Sequence, residues 1–382
     1  MNDSIVIIGT GLAGYTLARE IRKRDAQRPL CLITQDDGAF YSKPMLSNAL
    51  SKHKTADELA TADADKMRAD LHAEILANTT VKTLDIVNRR VEPDNGKTVD
   101  YGRLVLAVGA QVVTPPLQGD AVSQICTVNS LADYRQFRQR ITGKQDIAII
   151  GPGLIGCEFA NDLVSAGYTV HVIGPDPWPL GRLLPARAGA AVQQALQTAG
   201  VHWHLQTAVQ QVQAVADKVS LLLDNQQTLE VDVVLSAIGL RGNNALAQAA
   251  GLRLNRGIVV DRLLRTSDPN VYALGDCAEV EGLVLPFVLP LMQQARALAA
   301  TLCGEETAVH YPAMPVLVKT TSHPVVVSPP PFDAQGAWEE QVMAGGVKAL
   351  FKSGTDLLGF ALTGSALSEK QALTKRLPML LA

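Results

Sequence analysis

The sequence has no C-x-x-C pair. Its five cysteines (Cys31, Cys126, Cys157, Cys277 and Cys303) are scattered along 382 residues, which excludes a zinc finger or a disulfide framework. We expect all five to behave as small buried apolar groups. Aromatic residues make up only 4% and the net charge is −3, so the chain has neither stacking platforms nor a basic surface for nucleic acid. No apolar run approaches the ~18 residues that a membrane span needs. The start of the chain carries no basic segment followed by a cleavable apolar one. These absences point to a soluble cytoplasmic protein that inserts in no membrane and binds no nucleic acid. With 47% hydrophobic and 19% charged residues, the chain has a globular composition. At roughly 150 residues per domain, its length implies two or three domains.

Glycine is plentiful, and its placement is informative. Ile5-Val6-Ile7-Ile8 reads as a buried parallel strand. It runs into Gly9-Thr10-Gly11-Leu12-Ala13-Gly14, then an amphipathic helix with Leu17, Ala18 and Ile21 on one side, then a second strand at Leu30-Cys31-Leu32-Ile33. This is the context that the G-x-G-x-x-G fingerprint requires. Gly9 makes the tight turn, Gly11 leaves room for a pyrophosphate, and Gly14 lets helix pack on strand. The free N–H groups of the helix start face the phosphates. The second strand ends Thr34-Gln35-Asp36-Asp37, and Asp36 is the candidate ribose acid, one or two places later than usual.

The same unit recurs about one domain's length later. Asp146 to Ile150 leads into Gly151-Pro152-Gly153-Leu154-Ile155-Gly156, a helix through Glu158 and Leu163 that Gly167 ends in the C′ position, and a strand at Val170-His171-Val172-Ile173. That strand ends Gly174-Pro175-Asp176, with no Glu at the tip and no Arg for a 2′-phosphate until Arg182, which favours NADH over NADPH. His171 reads as a satisfied histidine of the strand. Strands Leu104 to Val108 and Val233 to Ile238 end in Gly109 and Gly239, and each leads into a crossover, Gln111 to Gly119 and Arg241 to Asn244. A turn and strand from Thr266 then reach Gly275-Asp276.

Taken in order, the two fingerprints, the two strand-glycine crossovers and Gly275-Asp276 resemble the flavoprotein reductases with two dinucleotide-binding domains, the pyridine nucleotide-disulfide oxidoreductase superfamily. The resemblance covers the whole chain. It implies an α/β fold with two Rossmann-like FAD/NAD(P)-binding domains plus a small α+β C-terminal domain. The FAD-binding domain is then split over residues 1–110 and 241–312, the NAD-binding domain takes 111–240, and residues 313–382 form the third domain. The resemblance also implies that Asp276 holds the flavin ribityl chain, with FAD on Gly9 to Gly14 and NADH on Gly151 to Gly156.

Within that superfamily, disulfide reductases need two cysteines beside the flavin, and peroxide- or oxygen-reducing members need one soon after the second strand. The stretch Phe40-Tyr41-Ser42-Lys43-Pro44-Met45-Leu46-Ser47-Asn48-Ala49 has no sulfur except a methionine, which excludes a thiol relay. Its Tyr41 to Ser47 portion, together with Gly156 to Leu163, Asn255 to Asp261 and Ser328-Pro329-Pro330-Pro331, is similar to the rubredoxin reductases, those of bacterial alkane hydroxylation in particular. That resemblance implies transfer of electrons from NADH through FAD to rubredoxin, a small acidic iron protein. It places Lys43 and Glu158 beside the flavin and nicotinamide, where they could form an ion pair. It also places Lys319 near the isoalloxazine, Val288 beside the ring and Val81 at the adenine through its backbone. Lys43, Lys319, Lys52 and Lys54 are candidates for a basic patch that steers the acidic partner. Other readings stay open: a ferredoxin acceptor, the rubredoxin domain of a nitric-oxide-reducing system, direct reduction of oxygen, or a redox-sensing NADH/FAD-binding interaction protein.

Overall fold

The computed structural model describes residues 3–382. Two parallel sheets are built by the same rule. In the first, Val271–Ala273, Arg103–Leu106, Ile5–Ile8, Leu30–Ile33 and Glu74–Leu76 lie side by side in that order, all parallel. In the second the order is Val201–Leu205, Thr169–Gly174, Asp146–Ile150 and Val233–Ser236. Both central strands are near-continuous apolar runs, because both faces of a parallel sheet are covered. Each sheet is accompanied by an antiparallel meander, Val81–Asp85 with Arg90–Pro93 and Val99–Asp100 in the first, and Val209–Val215 with Lys218–Leu223 and Thr228–Val231 in the second. The repeat of the glycine fingerprint is therefore a repeat of a whole architecture.

The two units are joined where their crossovers meet. Ala110–Val112 pairs antiparallel with Leu240–Gly242, so the chain enters and leaves the second unit through one two-stranded ribbon. Residues from Val316 onward build a five-stranded antiparallel sheet, ordered Val316–Val318, Val325–Ser328, Asp356–Gly364, Gly346–Ser353 and Ala337–Met343, followed by a 3-10 turn and the short helix Lys370–Thr374. Pro329 to Pro331 lie in a loop outside any strand.

Helix Leu12–Arg24 buries Tyr15, Leu17, Ala18 and Ile21 completely, each large apolar side chain contributing about 1.5–3 kcal/mol. Its partner is helix Val288–Leu302, which packs along it. Helix Leu154–Ser165 differs. It is buried from Gly156 through Leu163, including the polar residues Glu158, Asn161 and Asp162. A helix enclosed in this way must pair its polar groups inside the protein. It ends as its sequence predicts, with Gly167 at φ +91° just past the last turn.

All five cysteines are free. Cys31, Cys157 and Cys277 are buried, as expected, but Cys126 and Cys303 are only partly so. The Cys126 sulfur accepts an N–H of Arg140 at 3.6 Å. Among the described residues no helix is long and apolar enough to cross a membrane, and no group of three His, Cys, Asp or Glu is arranged to hold a metal ion.

Candidate functional site

The two glycine turns are near-copies. Gly9 and Gly151 have φ of +110° and +113°, a region that L side chains rarely adopt, and a Cβ on either would strike the carbonyl of Ala107 or Ala237 at 2.2 and 2.7 Å. The last glycine of each motif is locked by its own turn. A Cβ on Gly14 or Gly156 would stand 1.9 Å from the carbonyl oxygen of Gly9 or Gly151. The middle glycines are the opposite case: a Cβ on Gly11 or Gly153 meets nothing within 4 Å. Each middle glycine therefore borders a cradle at a helix start, where Leu12 and Leu154 begin their helices with unpaired N–H groups. Gly109 and Gly239 also face open space, at the ends of the neighbouring strands.

The first cradle fits FAD. Gly275 comes within contact of Ala13, a Cβ there standing 3.0 Å from the Ala13 Cβ, so the Gly275-Asp276 turn and the fingerprint belong to one site. Among the described residues the Asp276 carboxylate has no hydrogen-bond partner. Burial raises its pKa, with Lys43 opposing. An unpartnered, desolvated carboxylate of this kind suits hydroxyls of a bound cofactor. Thr10 and Thr34 are buried beside the turn, while Gln35 and Asp36 are exposed at the strand tip, where the Asp36 N–H donates to Thr34 Oγ1. Val81 is buried at the start of its meander, and Val288, first residue of its helix, is 40% exposed.

Lys43 and Glu158 do not pair with each other. Glu158 Oε2 lies 2.5 Å from Lys319 Nζ, its Oε1 accepts the Lys319 backbone N–H at 2.8 Å, and Ser47 Oγ donates to Oε2 at 2.6 Å. Lys319 Nζ also donates to Pro44 O at 2.5 Å and Ser47 Oγ at 2.9 Å. Lys43 instead donates to Asn129 Oδ1 at 2.5 Å. Burial lowers its pKa, opposed by the charges of Asp276, Asp133 and Asp36. The ion pair expected between Lys43 and Glu158 is therefore not formed; Glu158 pairs with Lys319 instead. The reason is geometric: Lys43 opens the short helix Lys43–Asn48 and faces the first cradle, whereas Ser47, one turn on, faces Glu158.

Several residues of this junction had no signal of their own in the sequence. Asn129 holds Lys43 and donates to Ala110 O at 2.8 Å. Asp162 accepts from Leu50 N, Ser51 N and Ser51 Oγ. Asn161 binds Thr321 Oγ1 and the Ser322 N–H. The capping box of Ser130 and Asp133 marks the start of helix Leu131–Ile141, but not the link from Asn129 to Lys43. At the tip of the second unit, Asp176 is half-buried with no side-chain hydrogen bond among the described residues. It stands about 20 residues after the last glycine of the motif, the usual spacing of a ribose-binding acid, and it supplies at the strand tip the carboxylate that a Glu would otherwise provide.

Comparison with known proteins agrees with this geometry. Residues 3–299 match the family described as pyridine nucleotide-disulphide oxidoreductase, and residues 308–377 match a rubredoxin binding C-terminal domain. The chain is 49% identical to a rubredoxin-NAD(+) reductase of Alcanivorax borkumensis over 99% of both chains. It is 47% identical to one of Acinetobacter baylyi, covering 99% of this chain and 98% of that one. Among solved structures, putidaredoxin reductase in covalent complex with putidaredoxin superposes with a TM-score of 0.89 at 27% identity, over 99% of this chain and 94% of that one. The chain belongs to the pyridine nucleotide-disulphide oxidoreductase family, and within it to the group of the rubredoxin-NAD(+) reductases.

Proposed function

We propose that this protein carries electrons from NADH through FAD to rubredoxin in the cytoplasm, and that alkane hydroxylation consumes them. One observation carries the reading: the short helix Lys43–Asn48 touches both cradles. Its first residue lies in the field of Asp276, and Ser47 hydrogen-bonds Glu158. The nicotinamide and the isoalloxazine would meet over this segment, with Lys43 and Glu158 as the residues nearest the chemistry. When bound, FAD supplies the junction between two-electron hydride chemistry and one-electron transfer.

The protein's own part is to bind, orient and shield. The open sides of Gly11 and Gly153 admit the two pyrophosphates against helix starts. Lys319 holds the Glu158 carboxylate in one orientation, which fixes the floor of the nicotinamide side. Segment 40–49 contains no cysteine, and burial raises the pKa of all five thiols, those of Cys31 and Cys277 to about 12, which disfavours a thiolate relay. Lys43 and Lys319 are engaged internally, which leaves Lys52 and Lys54, both exposed, as the steering lysines.

The test is anaerobic stopped-flow with NADH, followed by mixing with rubredoxin, ferredoxin or oxygen. The reading requires fast flavin reduction, and reoxidation by rubredoxin faster than by either rival, slowing as ionic strength rises. Slow flavin reduction would favour a redox-sensing protein instead. Loss of growth on an n-alkane in a deletion strain tests the physiological role.

A further inference from the structure

We propose that Gln294 is a positioning residue for the flavin-holding turn, and that Tyr311 fixes Gln294. The inference rests on the reading of Asp276 as a cofactor ligand. Gln294 is 2% exposed, within helix Val288–Leu302, where its neighbours Leu291, Ala295 and Leu298 are buried apolar residues. A primary amide costs free energy in such a place unless both of its ends are bonded. Both are. Its Oε1 accepts the Gly275 backbone N–H at 2.6 Å, and its Nε2 donates to Tyr311 Oη at 2.7 Å. The first bond sets which end of the amide is which, because an N–H requires an oxygen.

The bond falls on the residue immediately before Asp276, at a position whose φ of +79° few side chains can adopt. Gly275 also packs on Ala13 of the fingerprint. Holding the Gly275 N–H therefore holds the backbone from which Asp276 projects, and holds it in register with Gly9 to Gly14. Tyr311 is fully buried, and burial lifts its pKa to about 12, so it stays a neutral phenol. Its own backbone is tied on both sides: Tyr311 N donates to Leu381 O at 2.9 Å, and the N–H groups of Leu380 and Leu381 donate to Tyr311 O at 2.8 and 3.1 Å. Leu381 packs against the same core as the fingerprint helix. The relay thus runs from Leu381 through Tyr311 and Gln294 to the turn that carries Asp276. It begins just past the segment matching a rubredoxin binding domain.

The experiment measures FAD dissociation constants for the full-length protein, by removing and restoring FAD, in wild type, Gln294→Leu, Tyr311→Phe and Asp276→Ala. A residue that only supports the fold weakens apoprotein and holoprotein alike and leaves the dissociation constant unchanged. The expected result is a roughly 10-fold or greater rise for Gln294→Leu, which leaves the Gly275 N–H unbonded, and a smaller rise for Tyr311→Phe. The flavin absorption bands of both variants should shift. If Asp276→Ala releases FAD while Gln294→Leu and Tyr311→Phe bind it as wild type does, the inference is overturned and the reading of Asp276 stands. If Asp276→Ala keeps FAD, that reading fails and the inference falls with it. Should Gln294→Leu not fold, Tyr311→Phe decides, since it removes one hydroxyl and keeps the ring. An unchanged dissociation constant there overturns the inference.

Discussion

Lys319 Nζ lies 2.5 Å from Glu158 Oε2, and this pair fastens the edge strand of the C-terminal sheet to the helix of the second fingerprint. The carboxylate side chain is 3% exposed and the ammonium 22%. Two further contacts of the same helix run alongside it. Asn161 reaches Thr321 and Ser322, and Asp162 reaches Leu50 and Ser51. One helix face therefore binds both the 43–51 segment and the 319–322 segment. The buried polar residues of Leu154–Ser165 are the joint between three parts of the chain.

Removing one member of such a pair costs more than removing both, because a lone buried charge remains. Lys319→Met should destabilise the protein by about 3–5 kcal/mol. The double variant Glu158→Gln with Lys319→Met should recover part of that loss. Urea unfolding of the two single variants and the double variant gives the coupling. Additive losses would mean that the two groups do not depend on each other. Both single variants should also slow flavin reduction by NADH in stopped-flow, since Glu158 is oriented by Lys319.

The two kinds of glycine predict opposite phenotypes. Gly153→Val places its side chain in open space, so the protein should fold with its FAD and show a raised KM for NADH. Gly156→Val drives a Cβ to within 1.9 Å of the Gly151 carbonyl and should lower the melting temperature sharply, the overpacking cost being about 1–3 kcal/mol or more. The same contrast holds for Gly11 and Gly14, with FAD content as the readout. A Gly153→Val enzyme with an unaltered KM would show that NADH does not use this cradle.

Most of the architecture was legible because glycine and apolar runs act locally. Gly9 to Gly14 and Gly151 to Gly156 each fix a turn through their own backbone, and Ile5–Ile8 and Asp146–Ile150 announce buried strands by composition alone. The partner of Glu158 was not legible. Lys43 and Lys319 are both lysines near the site, and only the third dimension decides that Ser47 rather than Lys43 faces the carboxylate. Asn161 and Asp162 were hidden for the same reason: a polar residue in a helix ordinarily reads as solvent-facing, and burial on all sides reverses that meaning. The relay from Gln294 to Tyr311 joins a helix to a loop beyond its end, and no local pattern marks it.

The histidines of the second sheet set a pH dependence. His171 Nδ1 lies 3.2 Å from His204 Nε2, and His202 stacks on His171 with ring centroids 5.0 Å apart. Burial, then the neighbouring histidines, lowers the pKa of His171 below 6.5, and that of His204 falls likewise. The folded state then binds fewer protons than the unfolded one between these depressed values and 6.5. Stability therefore rises with pH through that window and is lost as pH falls into it. Melting temperatures should drop as the pH is lowered below about 6.5, and His171→Gln should flatten the drop. An equally steep decline in His171→Gln would assign the acid sensitivity to other groups.

Asp176 should decide between the two nicotinamide cofactors. It follows strand Thr169–Gly174, and its backbone oxygen accepts the Gln206 N–H at 3.2 Å, which fixes the loop, while its carboxylate has no hydrogen bond among the described residues. A carboxylate there accepts hydrogen bonds from the ribose hydroxyls of NADH and repels the 2′-phosphate of NADPH. Asp176→Ala should raise the KM for NADH by roughly 10-fold, the loss of a charge-assisted hydrogen bond being about 1.5–3 kcal/mol, and should leave FAD content and kcat near wild type. The KM for NADPH should fall at the same time, because the repulsion is gone. Steady-state kinetics with both cofactors separate the effects. A variant that weakens NADH and NADPH alike would show that Asp176 shapes the loop and does not read the ribose.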